Sequence, residues 1–188
     1  MKKNIIFLRI IFTILLISTY TAIFVYSSQN GEKSSDKSKG IMYSLICILQ
    51  GTENVTHDEV DTLEPLLRKM AHFGIYTMSG IWSMCLMCTF YRDEEKSKEE
   101  CINAFDDKLI TKIKAGSKTI EFKRIFISTI IGFLYACSDE IHQLFSAGRS
   151  CKAIDVSIDT MGVLNGALLV LLICKLYEII RDLIGHKK

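Results

Sequence analysis

One proline, Pro65, among 188 residues leaves little to interrupt long helices. A lone CxxC, Cys85 to Cys88, has no companion and sits in an apolar block, which argues against paired-CxxC zinc sites and redox work. Cys85, Cys88, Cys137 and Cys174 all fall in apolar runs, where a thiol is a small hydrophobe. Cys47 and Cys151 are the pair that share a compartment in the topology below, without a spacing that implies a disulfide. No basic stripe is interleaved with exposed aromatics, so nucleic acid is not an expected partner. There is no HExxH, and no nucleophile elbow surrounds Ser138 or Ser146 beside His142.

What the chain does have is apolar length. It is 49% hydrophobic and 23% charged, and the two classes are segregated into blocks. A bilayer crossing needs about 20 apolar residues. Four blocks qualify as expected spans, at about 5–26, 66–91, 125–145 and 154–177, within a single domain covering 1–188. The first is too long for a signal-peptide core and no A-x-A site follows it, so it is expected as a retained helix. Pro65 suits the first turn of the second, where its missing N–H costs nothing. The fold class is therefore all-α: a polytopic membrane protein of four transmembrane helices with short extracytoplasmic helices.

Charge supplies sidedness. The segment 92–124 carries nine Lys/Arg, whereas 31–67 carries three lysines against seven acids. Lys2, Lys3, Arg181, Lys187 and Lys188 add basic character at both ends. Positive residues in short loops favour the cytoplasm. Both termini and the 92–124 loop are expected inside, and the 31–67 loop and the "SAGRSCKA" loop outside. "IMYSLICIL", Ile41 to Leu49, is too short to span and is expected to lie at the interface or to re-enter. Thr56 and Glu59 have the spacing of a capping box for a further short helix. Phe73, Trp82, Phe90 and Tyr91 suit lipid-facing or interfacial positions.

Ionisable residues interrupt three of the blocks at a common depth near the outer face. Arg68, His72 and Tyr76 recur at i+4 on the second span, with Lys69 three before His72. On the third, Asp139, His142 and Gln143 share a face, and Glu140 is turned about 100° away. On the fourth, Asp155 and Asp159 share a face that continues into Gly162-x-x-x-Gly166, a spacing that permits close helix contact. Arg149 lies in the turn between the last two. A charge deep in a bilayer costs about 2.5–3.5 kcal/mol on the lenient scale. The expected arrangement is one polar nest, open outward, in which Arg68, Lys69 and Arg149 offset the carboxylates. The same groups could instead form a buried network that only fixes helix register. His72, His142, Asp139, Glu140, Asp155 and Asp159 are of metal-ligating types, but without a local motif no cofactor is predicted and a divalent metal stays a secondary reading.

"SSQNG", "LRKMAHFGIY", "SDEIHQLFSAGRS" and "IDVSIDTMGVLNG" occur in this order, one with each expected span. Together they resemble the VanZ-like family, whose members are four-helix membrane proteins, some linked to resistance to the lipoglycopeptide teicoplanin. The resemblance marks Arg68, Lys69, His72, Asp139, Glu140, His142, Gln143, Arg149, Asp155 and Asp159 as the candidate site. It implies an envelope protein of the cell membrane whose partner is a membrane lipid or a lipid-linked cell-wall intermediate. Two further readings are a membrane enzyme, hydrolase or transferase, acting on such a lipid, and a small transporter subunit. The oligomeric state has no signal in the sequence.

Overall fold

The computed structural model describes residues 2–51, 54–102, 107–149 and 151–185. It contains five helices and, among the described residues, no strand: α1 (Lys2–Ser27), α2 (Gly31–Gln50), α3 (His57–Ile102), α4 (Asp107–Gln143) and α5 (Ala153–Gly185). Three of them hold stretches long and apolar enough to cross a membrane: Asn4–Ser27, His57–Phe90 and Ala153–Arg181. α4 does not meet that description. Its uncharged stretch, Ile125 to Ser138, is fourteen residues, or about 21 Å of helix against a core of about 30 Å. The segment 92–124, expected as a connector, is helical on both arms as far as Ile102 and from Asp107. The basic side chains of 92–118, Lys2, Lys3, Lys187 and Lys188, and the Tyr91 ring, lie outside the described ones.

Local signals account for the helix limits. The capping box forms: the Thr56 N–H donates to Glu59 Oε2 at 3.0 Å, and the Glu59 N–H donates to Thr56 Oγ1 at 3.4 Å. It starts the long helix α3 rather than a separate short one. Pro65 is consequently interior to α3, not in its first turn, and forfeits the bond its nitrogen would make to the Asp61 carbonyl. α2 runs unbroken from a polar first half into the apolar segment, and ends at Gly51, whose φ of +65° is the left-handed stop that glycine tolerates. Met42 and Ile46, one turn apart, bury against Val60 of α3. Exposed Lys39 reaches Asp61 at 2.7 Å.

α3 is the hub and packs on all four other helices, whereas, among the described residues, α2 packs on no helix but α3. At the centre, Ile23, Tyr76, Ala136 and Val163 meet, one from each of α1, α3, α4 and α5. Farther along, Met84 packs with Ala167 and Val170. The α3–α5 contact is close because both sides carry glycine. A Cβ on Gly162 would lie 2.7 Å from the Phe73 carbonyl oxygen, one on Gly166 would fall on the Thr77 carbonyl, and one on Gly80 on the Val163 carbonyl. At the other end, Arg9, the lone charge in the first apolar block, donates to the Thr89 carbonyl at 2.8 Å and lies 4.3 Å from the centre of the Phe90 ring. Phe73 and Trp82 are half-buried. None of the cysteines described, Cys47, Cys85, Cys88, Cys137, Cys151 and Cys174, is in a disulfide.

Two substitutions separate packing from helix propensity. Gly166→Ala should destabilise the protein by about 1–3 kcal/mol, because the added methyl must push α3 and α5 apart. Gly74→Ala, where a Cβ meets nothing within 4 Å, should stabilise by about 0.5–1 kcal/mol. Chemical unfolding in detergent micelles measures both.

Candidate functional site

The end of the bundle where α3 and α5 begin and α4 stops is assembled by hydrogen bonds onto backbone carbonyls of distant segments. The Gly31 N–H donates to the Ala147 carbonyl at 3.0 Å, Ser146 Oγ donates to the Ser27 carbonyl at 3.3 Å, and Arg149 Nη2 donates to the Tyr26 carbonyl at 3.3 Å. "SSQNG" thus clasps the "SAGRS" turn. A Cβ at Gly31 would lie 2.6 Å from the Gly148 carbonyl oxygen, and Gly148 itself has a φ of +75°. Both glycines are required by closeness and by conformation respectively.

Beneath this clasp lies a cavity of about 360 Å³. Arg68, Lys69 and His72 reach it from α3, Glu140 and Gln143 from α4, Arg149 from the turn, and Asp155 and Asp159 from α5. A second, more apolar cavity of about 420 Å³ lies between α1, α2 and α3, walled by Ile23, Ile41, Leu67 and Ile75. The two share Arg68, His72 and Arg149.

The pairing inside differs from the expected nest. Arg68 Nη2 binds Glu64 Oε1 of its own helix at 2.8 Å. Lys69 reaches Asp155 at 3.6 Å. Arg149 donates to the Tyr26 carbonyl and to Ser34 Oγ, both at 3.3 Å, and, among the described residues, to no carboxylate. Burial and the nearby Arg68 cation press its pKa below the ordinary arginine value. Glu140, 2% exposed, accepts the Lys152 N–H at 2.9 Å. Gln143 Nε2 donates to Asp139 Oδ2 at 3.1 Å. Asp159 has His72 Nδ1 at 3.6 Å, beyond hydrogen-bond reach. Among the described residues, neither Asp139 nor Asp159 forms an ion pair with a lysine or arginine.

Two placements depart from helical-face reasoning. His142 lines neither cavity; its ring packs on Phe24 of α1, centroids 4.3 Å apart. Glu140, expected to turn away, is buried and lines the first cavity. The face α4 turns inward is centred between residues 139, 140 and 143, and α1 occupies the flank where His142 falls. Reasoning from spacing also missed Glu64 and Lys152, both cavity-lining. Glu64 is 6% exposed, and its i, i+4 relation to Arg68 was the available signal.

A helical protein with several apolar spans and a polar cavity closed by a tight turn belongs to the class of multi-pass membrane proteins. More narrowly, the family model described as VanZ/LLP1 matches residues 12–174, and the chain belongs to that family. Searches of curated proteins and of solved structures returned no match.

The part-buried Glu64–Arg68 pair and the exposed Lys39–Asp61 pair should respond differently to truncation. Glu64→Ala should cost about 1–3 kcal/mol, since it strips a charged hydrogen bond from a part-buried guanidinium. Lys39→Ala should cost about 0–1 kcal/mol. Chemical unfolding in micelles, repeated at high salt, checks the order.

Proposed function

We propose that this protein is an envelope factor of the cell membrane that holds a phosphate-bearing lipid, either a phospholipid head group or a lipid-linked cell-wall intermediate, and so lowers sensitivity to teicoplanin-like lipoglycopeptides. α4 makes a fourth crossing in this reading, its acids tolerated because they face protein rather than acyl chains. The termini and the 92–124 segment are cytoplasmic, by the bias of basic residues, and the cavity opens outward.

One observation carries it. Arg68 and Arg149 border both cavities, and the Nε of each is buried with no hydrogen-bond partner. A guanidinium grips phosphate through paired N–H groups on one edge. Two guanidiniums with unsatisfied Nε–H groups, close enough for one to disfavour the other's charge, suit an anion between them. The apolar cavity alongside suits the start of an acyl or prenyl tail. This combination fits an amphiphile better than a soluble anion.

In nanodiscs, wild-type protein should bind a polyprenyl phosphate. Arg149→Ala and Arg149→Lys should each weaken binding by about 10- to 100-fold, the loss of a charged hydrogen bond. Competition with phosphatidylglycerol separates a lipid-linked intermediate from bulk lipid. Cells carrying either variant, with membrane insertion verified, should lose protection against teicoplanin. Full binding and full protection by the inserted variants contradict the proposal.

A further inference from the structure

Beside the polar cavity lies a second feature that the arginines do not hydrogen-bond: His72 and Asp159 line the cavity, and Asp139, buried, lines neither cavity. His72 of α3, Asp139 of α4 and Asp159 of α5 each present a ligand atom within 4.8 Å of the other two. Asp139 is 3% exposed and Asp159 1%. Both Asp159 oxygens and Asp139 Oδ1 are buried without a hydrogen-bond partner. Buried carboxylates are ordinarily hydrogen-bonded, paired or bound to metal. Asp159 has no hydrogen bond and no lysine or arginine partner among the described residues; its one neighbour of opposite type is His72 at 3.6 Å, an ion pair only when the imidazole is protonated.

We propose that His72, Asp139 and Asp159 bind a divalent transition-metal ion. The spacing favours it. Two ligands bound at about 2.0–2.1 Å and a tetrahedral angle are about 3.3 Å apart, close to the 3.6 Å between His72 Nδ1 and Asp159 Oδ1. Charge favours it too. Two carboxylates with a neutral imidazole carry −2, which a divalent ion cancels. One nitrogen and carboxylate oxygens suit zinc, manganese, iron or cobalt in the divalent state. They do not suit copper(I), which selects sulfur, and calcium and magnesium prefer oxygen alone. Gln143 Nε2, on Asp139 Oδ2 at 3.1 Å, orients that carboxylate as an outer-shell partner does. His72 and Asp159 line the cavity, so three protein ligands leave a coordination position facing it, the mark of a reactive or ligand-binding metal rather than a closed structural one. The ion would also tie together α3, α4 and α5 at one level.

The test needs no lipid ligand. Full-length protein in detergent micelles is stripped with a chelator and titrated with cobalt(II) alone, followed by visible absorption and by thermal unfolding. One equivalent should bind, produce ligand-field bands, raise Tm and be displaced by zinc. Asp139→Asn, Asp159→Asn and His72→Gln should each weaken binding by at least about 100-fold, at or past the upper end seen for outer-shell losses. Glu121→Gln, whose partner is Lys175 at 3.1 Å in another part of the bundle, should bind as wild type. Should a ligand variant fail to fold, the wild-type titration alone decides. No bands and no Tm shift in wild type, or unchanged binding in folded ligand variants, overturns the site. Neither outcome bears on phosphate binding by Arg68 and Arg149.

Discussion

Two carboxylates, Asp139 and Asp159, are buried between helices where no lysine or arginine among the described residues pairs with them. That single constraint organises this end of the molecule. An uncompensated charge in an apolar setting is costly, so the surroundings must be polar and reachable by water or an ion. Gln143 takes one oxygen of Asp139, His72 stands beside Asp159, and a cavity of about 360 Å³ adjoins them. The glycine contacts between α3 and α5 fix how near His72 comes to Asp159. Widening the helix pair would separate the groups as well as the backbones.

The cations expected to neutralise these acids are committed elsewhere. Arg68 is held by Glu64, Lys69 by Asp155, and Arg149 by a carbonyl and a hydroxyl. The cavity lining thus carries cations already held by other groups, two of them with unsatisfied guanidinium Nε–H groups, beside the buried acid Asp159. Free guanidinium edges and unpaired carboxylates in one site are what it would need to take both an anionic head group and a metal ion. The clasp between "SSQNG" and "SAGRS" holds Arg149 in place through one backbone hydrogen bond and two side-chain donors on backbone carbonyls.

Much of this was legible from residue order. Three of the four apolar blocks, the Thr56–Glu59 box and the glycine pair on α5 act locally or by simple periodicity and appear where those rules put them, although the box starts a long helix and not a short one. Family membership followed from four short motifs in sequence. What was not legible is tertiary. Pro65 reads as a helix start until the cap at Thr56 is weighed against it. The partner of Arg68 depends on which of Glu64, Asp155 and Asp159 the fold brings nearest. His142 and Glu140 exchange expected roles because α1 packs on one flank of α4, and periodicity fixes relative angle but not which flank meets which neighbour. α2 spans both a polar and an apolar stretch, so its continuity shows only once Met42 and Ile46 find Val60.

The central claim is that ionisable groups from α3 and α5 meet and share one buried environment. A double-mutant cycle on unfolding free energy, with His72→Gln and Asp159→Asn singly and together in micelles, reads that directly. Groups in one network should show a coupling of about 0.5–3 kcal/mol. Strict additivity, within about 0.3–0.5 kcal/mol, would mean the two side chains do not sense each other and would contradict the account.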